Sequence, residues 1–124
     1  MSAELVQILY VGNAIAGQTF KECMQALGWE VYLAKSRYQA LGLYITYMPD
    51  LVILNALTNT ALAEDVHYHI RTVESTPIIV LGTQWDADDY ATHLVSPYTP
   101  LSKLVFLAHE LIEGQSIAQY SKGA

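Results

Sequence analysis

The sequence has little charge, few cations and almost no cysteine. Charged residues fill 15% of its 124 positions, against roughly 25% in typical soluble domains. Hydrophobic residues fill 52%, which excludes a disordered or low-complexity chain, because so apolar a sequence buries enough surface to fold. Six Lys and Arg face twelve Asp and Glu, a net charge of -6. That balance repels a phosphate backbone and anionic lipid, so neither nucleic acid nor a membrane is an expected partner. The one cysteine, Cys23, has no internal partner for a disulfide, and a reducing cytoplasm is the expected setting. Met1–Glu4 carry no basic group, and the apolar run that follows is interrupted at Gln7 and Gly12. No signal peptide or membrane span is therefore expected.

What is present reads as one domain over residues 1–124, with a core from about 5 to 114 and a polar, flexible tail over 115–124. Short apolar runs alternate with stretches of helical periodicity, the signature of an α/β chain. The runs are Val6–Val11, Glu30–Ala34, Asp50–Leu54, Pro77–Leu81 and a weaker His93–Val95. Phe20, Cys23, Met24 and Leu27 mark a first helix closed by Gly28. Leu41, Tyr44, Ile45 and Met48 mark a second, capped by Ser36 and stopped by Pro49. Leu62, Val66, Ile70 and Val73 mark a third, opened by Asn59 or Thr60. The last helix has Thr99 as N-cap, Pro100 at its first position, an apolar face of Leu101, Leu104, Val105, Ala108, Leu111 and Ile112, and Gly114 just past its end. Only Gln84–Thr92 remain for a helix before the fifth strand, room for one or two turns at about 3.6 residues each.

Taken in order, Ile8–Val11, Gly28–Val31, Pro49–Asn55, Ile70-Arg71, Thr76–Leu81 and Ser96-Pro97-Tyr98 resemble the receiver (CheY-like) domain of bacterial two-component response regulators. The resemblance spans roughly residues 5–114 and implies a flavodoxin-like, doubly wound, five-stranded parallel sheet in order 2-1-3-4-5, with helices on both faces and the fourth helix shortened or missing. It also implies five chemical positions. The acidic pair that helps hold Mg²⁺ falls on Gly12 and Asn13, and the phosphoryl-accepting aspartate on Asn55. The hydroxyl position falls on Gly82, with Thr83 one place late, and the lysine before proline falls on Ser96. An uncharged amide does not form an acyl phosphate. Without carboxylates Mg²⁺ loses its anchor, and without the lysine the phosphoryl charge loses its cation. Asp50 lies about 16 Å from the end of its strand at strand rise, too far to substitute. The reading is thus a phosphorylation-independent receiver domain in signal transduction, non-catalytic and without a metal or other cofactor.

Its expected role is to bind a protein partner, or a second copy, through the fourth-helix, fifth-strand and last-helix face, with Trp85, Tyr90, Val95, Tyr98 and Leu104 as interface residues. The alternative is a small-ligand sensor whose crevice, lined by Gly12, Asn13, Asn55, Gly82, Thr83 and Ser96, holds a metabolite. Asp86, Asp88 and Asp89 read as the first turn of the shortened helix, or as a copy of the family's Ala-Asp-Asp-Tyr stretch. His67 and His69, two apart on one helix, face different directions and form no metal pair. His69 falls close to the helix's apolar stripe and reads as a half-buried packing residue. Cys23 reads as a small buried hydrophobe.

Overall fold

A computed structural model describes residues 5–85 and 90–123, with side chains as far as residue 114. The strands are β1 (Gln7–Val11), β2 (Glu30–Ala34), β3 (Leu51–Asn55), β4 (Ile78–Leu81) and β5 (Thr92–Val95). The helices are α1 (Ala14–Gln25), α2 (Arg37–Tyr47), α3 (Thr60–Arg71) and α4 (Leu101–Gly123). The strands form one sheet in the order β2-β1-β3-β4-β5, and every neighbouring pair is parallel. This is the flavodoxin-like architecture that the family resemblance implies, and the run-and-period pattern accounts for its α/β class.

Alternation along the strands divides the core in two. Leu9, Val11, Val52, Leu54, Ile78 and Val80 meet Ala40 and Tyr44 of α2 and Ala63, Val66 and Ile70 of α3. Ile8, Tyr10, Leu51, Ile53, Ile79 and Leu81 meet Phe20 and Met24 of α1 and Leu104 and Ala108 of α4. Each fully buried aliphatic side chain contributes about 1.5–3 kcal/mol of transfer free energy, so the central strands carry much of the stability. Asp50 sits at the amino end of this sheet, where its Oδ2 accepts from the Gln7 amide at 2.9 Å.

Helix boundaries follow local chemistry. Asn13, Ser36 and Asn59 cap α1, α2 and α3 with their side-chain oxygens. Gly28, at φ +83, takes the left-handed turn that ends α1. Four expectations need correction. The buried face of α2 is Ala40 and Tyr44, while Ile45 and Met48 are exposed; the helix is apolar nearly all round, so periodicity alone does not orient it. His69 is half-buried as expected but turns to Arg37 and Asp65 rather than the core, where His67 is the buried histidine of α3 and its ring meets Trp85 edge-on at 5.3 Å. Val73 lies beyond α3 and is exposed. Finally, α4 runs through Gly114 to Gly123, where Gly114 is expected just past its end, since one glycine weakens a helix by about 1 kcal/mol without stopping it.

The connection from β4 to β5 departs most from regular βα units. Parallel neighbours are usually joined by a helix, yet residues 82–85 and 90–91, the described part of this link, include none. Trp85 packs instead against the α2/α3 side of the core. Leu94, which faces the same side, stays exposed. Asp86, Asp88 and Asp89 lie outside the described residues.

Candidate functional site

The carboxyl ends of β1, β3, β4 and β5 meet where a doubly wound sheet collects its ligands. Parallel register sets Val11 beside Leu54, Asn55 beside Leu81 and Leu81 beside Val95. Gly12, Asn55, Gly82 and Ser96 are therefore carried to one edge by pairing alone. The backbone amides there are already used. Gly12 N donates to Ala34 O at 2.9 Å, Ala56 N to Leu81 O at 2.9 Å and Gly82 N to Val95 O at 3.0 Å.

The side chains are used as well. Asn55 Nδ2 donates to the Tyr10 hydroxyl at 3.1 Å, and its Oδ1 accepts from the Leu57 amide at 3.2 Å, closing an Asx turn. Tyr10 is buried, and burial raises its pKa above the ordinary value, an effect that the Asn55 bond partly offsets. It stays a neutral hydroxyl at physiological pH. Asn13 Oδ1 accepts from Ile15 N at 2.8 Å and Ala16 N at 3.2 Å. Ser96 Oγ accepts from Tyr98 N at 3.1 Å. Gly12, at φ +146, lets β1 press on β3: a Cβ there would lie 2.6 Å from Asn55 Cβ.

A cleft of about 280 Å³ opens between the loops after β3 and β4, lined by Ala56, Leu57, Thr60, Gly82, Thr83 and Gln84. Of the six expected crevice residues only Gly82 and Thr83 reach it. Thr60 Oγ1 is turned to Ala56 O at 2.8 Å. Among the described residues no group of three or more His, Cys, Asp or Glu is gathered to hold a metal. The donor set of Gly12, Asn13 and Asn55 does not fit Mg²⁺, which takes carboxylate oxygens; both amide oxygens here already face backbone N–H groups.

The expected interface residues divide. Tyr90 and Tyr98 stand out at 87% and 80% exposure. Leu104 is 5% exposed and belongs to the core, because it falls on the sheet-facing stripe of α4. Val95 and Trp85 are half-buried against opposite sides of the core. Sequence reasoning missed Tyr10 as the partner of Asn55, a contact visible only once the register of β1 on β3 is known. The sequence assigns His67 no partner; it reaches Thr92 Oγ1 with Nε2 at 2.9 Å.

Neither the family profiles nor the curated proteins compared with the chain match it. Solved structures do. The signal receiver domain of a putative Luxo repressor protein from Vibrio parahaemolyticus superposes with a TM-score of 0.78 at 13% identity, over 98% of this chain and 100% of that one. The chemotaxis response regulator CheY4 of Vibrio cholerae gives 0.71 at 18% identity, over 87% of this chain and 99% of that one. The anti-anti-sigma factor PhyR from Bartonella quintana gives 0.76 at 16% identity, over 97% of this chain and 52% of PhyR, so the chain spans about half the length of that protein. The shared property is the receiver fold. Among the described residues, no helix is long and apolar enough to cross a membrane.

Proposed function

We propose that this chain is a receiver-fold interaction domain that signals without accepting a phosphoryl group. The observation that carries the reading is Asn55. In the receiver fold the end of β3 holds the phosphoryl acceptor, and here that position bears an amide tied to Tyr10 and Leu57. An amide is a poor nucleophile. The neighbouring positions reinforce the reading: Asn13 caps α1, Ser96 braces the turn before α4, and neither brings charge. The domain is non-catalytic and needs no cofactor, and its lone cysteine suits the cytoplasm.

Its working surface is the face flanking β5. The link before β5 leaves Leu94 and Tyr90 exposed, and Tyr98 stands beyond the strand end. Tyrosines with one apolar and one wet side suit a protein interface. Incubation with Mg²⁺ and acetyl phosphate, followed by intact-mass measurement, tests the reading. The expected mass is unchanged. A stable phosphoryl increment on any Asp or Glu would overturn it.

The cleft beside Gly82 and Thr83 favours a second reading, a sensor for a small neutral or anionic metabolite. Its volume is at the lower limit for ligand sites, about 300 Å³. A thermal-shift screen separates the two readings: stabilisation by a metabolite favours the sensor, and stabilisation by a protein partner alone favours the interaction domain.

A further inference from the structure

We propose that the outer face of α2 pairs with α2 of a second copy, antiparallel about a two-fold axis through Gly42. This inference does not rest on the interaction-domain reading, which concerns the face flanking β5.

The stretch from Tyr38 to Pro49 has no Asp, Glu, Lys, Arg or His. Tyr38 and Ile45, separated by two helical turns, are 86% and 71% exposed. In a chain of net charge -6, an uncharged, largely apolar helix face is where two copies approach with least repulsion. Gly42 stands between Tyr38 and Ile45. Glycine is among the costliest residues in a helix interior, and nothing in this molecule asks for it, since a Cβ at Gly42 would meet no atom within 4 Å. Close approach of a second backbone at a crossing point is a reason for glycine there.

Charge selects the antiparallel arrangement and the second copy. α2 has no acidic residue in its first turn and no basic residue in its last, so its macrodipole is uncompensated at both ends. Lys35 and Arg37 lie at its positive end, where cations are unfavourable. Arg37 is partly offset by Asp65 at 3.0 Å, while Lys35 forms no ion pair among the described residues. At the other end Tyr44 holds the Glu74 carboxylate, its hydroxyl donating to Oε1 at 3.0 Å. A two-fold about Gly42 sets residue 37 opposite residue 47. It thereby brings Lys35 and Arg37 of each copy to the carbonyl end and Glu74 of the other, twice per dimer. The charges are misplaced for a lone helix and well placed for this pair.

Sedimentation equilibrium on the full chain tests the proposal, with a concentration-dependent dimer expected. Ile45→Lys, at an exposed site, should raise the dimer dissociation constant by about tenfold or more while leaving the melting temperature of the dilute monomer unchanged. Gly42→Ala should stabilise the dilute monomer yet weaken the dimer, opposite signs that a purely structural role for Gly42 would not give. In a Cys23→Ser background, Gly42→Cys should cross-link to itself on oxidation faster than Ser102→Cys on α4. A wild-type chain that stays monomeric at millimolar concentration overturns the proposal. So does a dimer indifferent to Ile45→Lys, which would assign self-association to another face such as that of Tyr98.

Discussion

At the carboxyl ends of the strands, Asn13, Asn55 and Ser96 each accept from a backbone amide no more than three residues away. On the outside of α2, Tyr38, Gly42 and Ile45 stand open to solvent. The first region is polar and its side-chain oxygens are bonded to the backbone; the second is largely apolar and exposed. In an α/β sheet the strand ends are the usual seat of chemistry. Here Asn13, Asn55 and Ser96 brace turns and a helix start, and exposed apolar side chains stand on α2 and beside β5.

Substitutions at the strand ends should therefore cost stability, and substitutions on the open faces should cost association. The largest effect is expected from Gly12→Val, which sets a Cβ against Asn55 at a backbone angle that side chains rarely adopt. It should lower the free energy of unfolding by about 3 kcal/mol or more in urea titrations. Next comes an alkaline transition at Tyr44, which underlies the open face of α2. Burial and the Glu74 carboxylate push its pKa up from 10.0 to about 12, against the lowering effects of Thr76 and Arg71. The folded state thus keeps a proton that the unfolded state loses, so this contribution to stability is intact below pH 10.0 and fades as pH rises toward about 12. Tyr44→Phe should flatten that part of the stability–pH curve.

Tyr10→Phe leaves Asn55 Nδ2 without its acceptor and should cost about 1–2 kcal/mol. Asn13→Ala removes the α1 cap and should cost about 1 kcal/mol. Smallest in stability are Tyr90→Ala and Tyr98→Ala, each expected within about 0.5 kcal/mol of the parent, while binding of the protein partner in pull-down falls sharply. A large loss of stability from either tyrosine, or none from Gly12→Val, would break the contrast.

The sheet was legible because β3 and β4 are nearly unbroken apolar runs, and because Asn59, Ser36 and Pro49 punctuate the helices between them. The residues at the strand ends can be named from the sequence, but their contacts cannot. Asn55 and Tyr10 are 45 positions apart, and only the register of two strands reveals that one satisfies the other. Leu104 was read as surface because its place in the fold suggested a contact face; the same helical spacing that marked it apolar turns it inward to β3 and β4. On α2, where Ala40, Leu41, Leu43, Tyr44 and Ile45 surround the axis, any of several faces could have been buried. Packing chose the one that lets Tyr44 reach Thr76. Gly114 read as a stop because glycine often follows a helix, yet α4 continues through it.

The central claim is that the groups at the mouth of the sheet hold the fold together and are not available to a metal or a phosphoryl group. The most direct test is a Mg²⁺ titration followed by amide NMR at Gly12, Asn13, Asn55 and Gly82. The account predicts no saturable shift at these four amides. Saturable, site-specific shifts converging on Asn55 would contradict it.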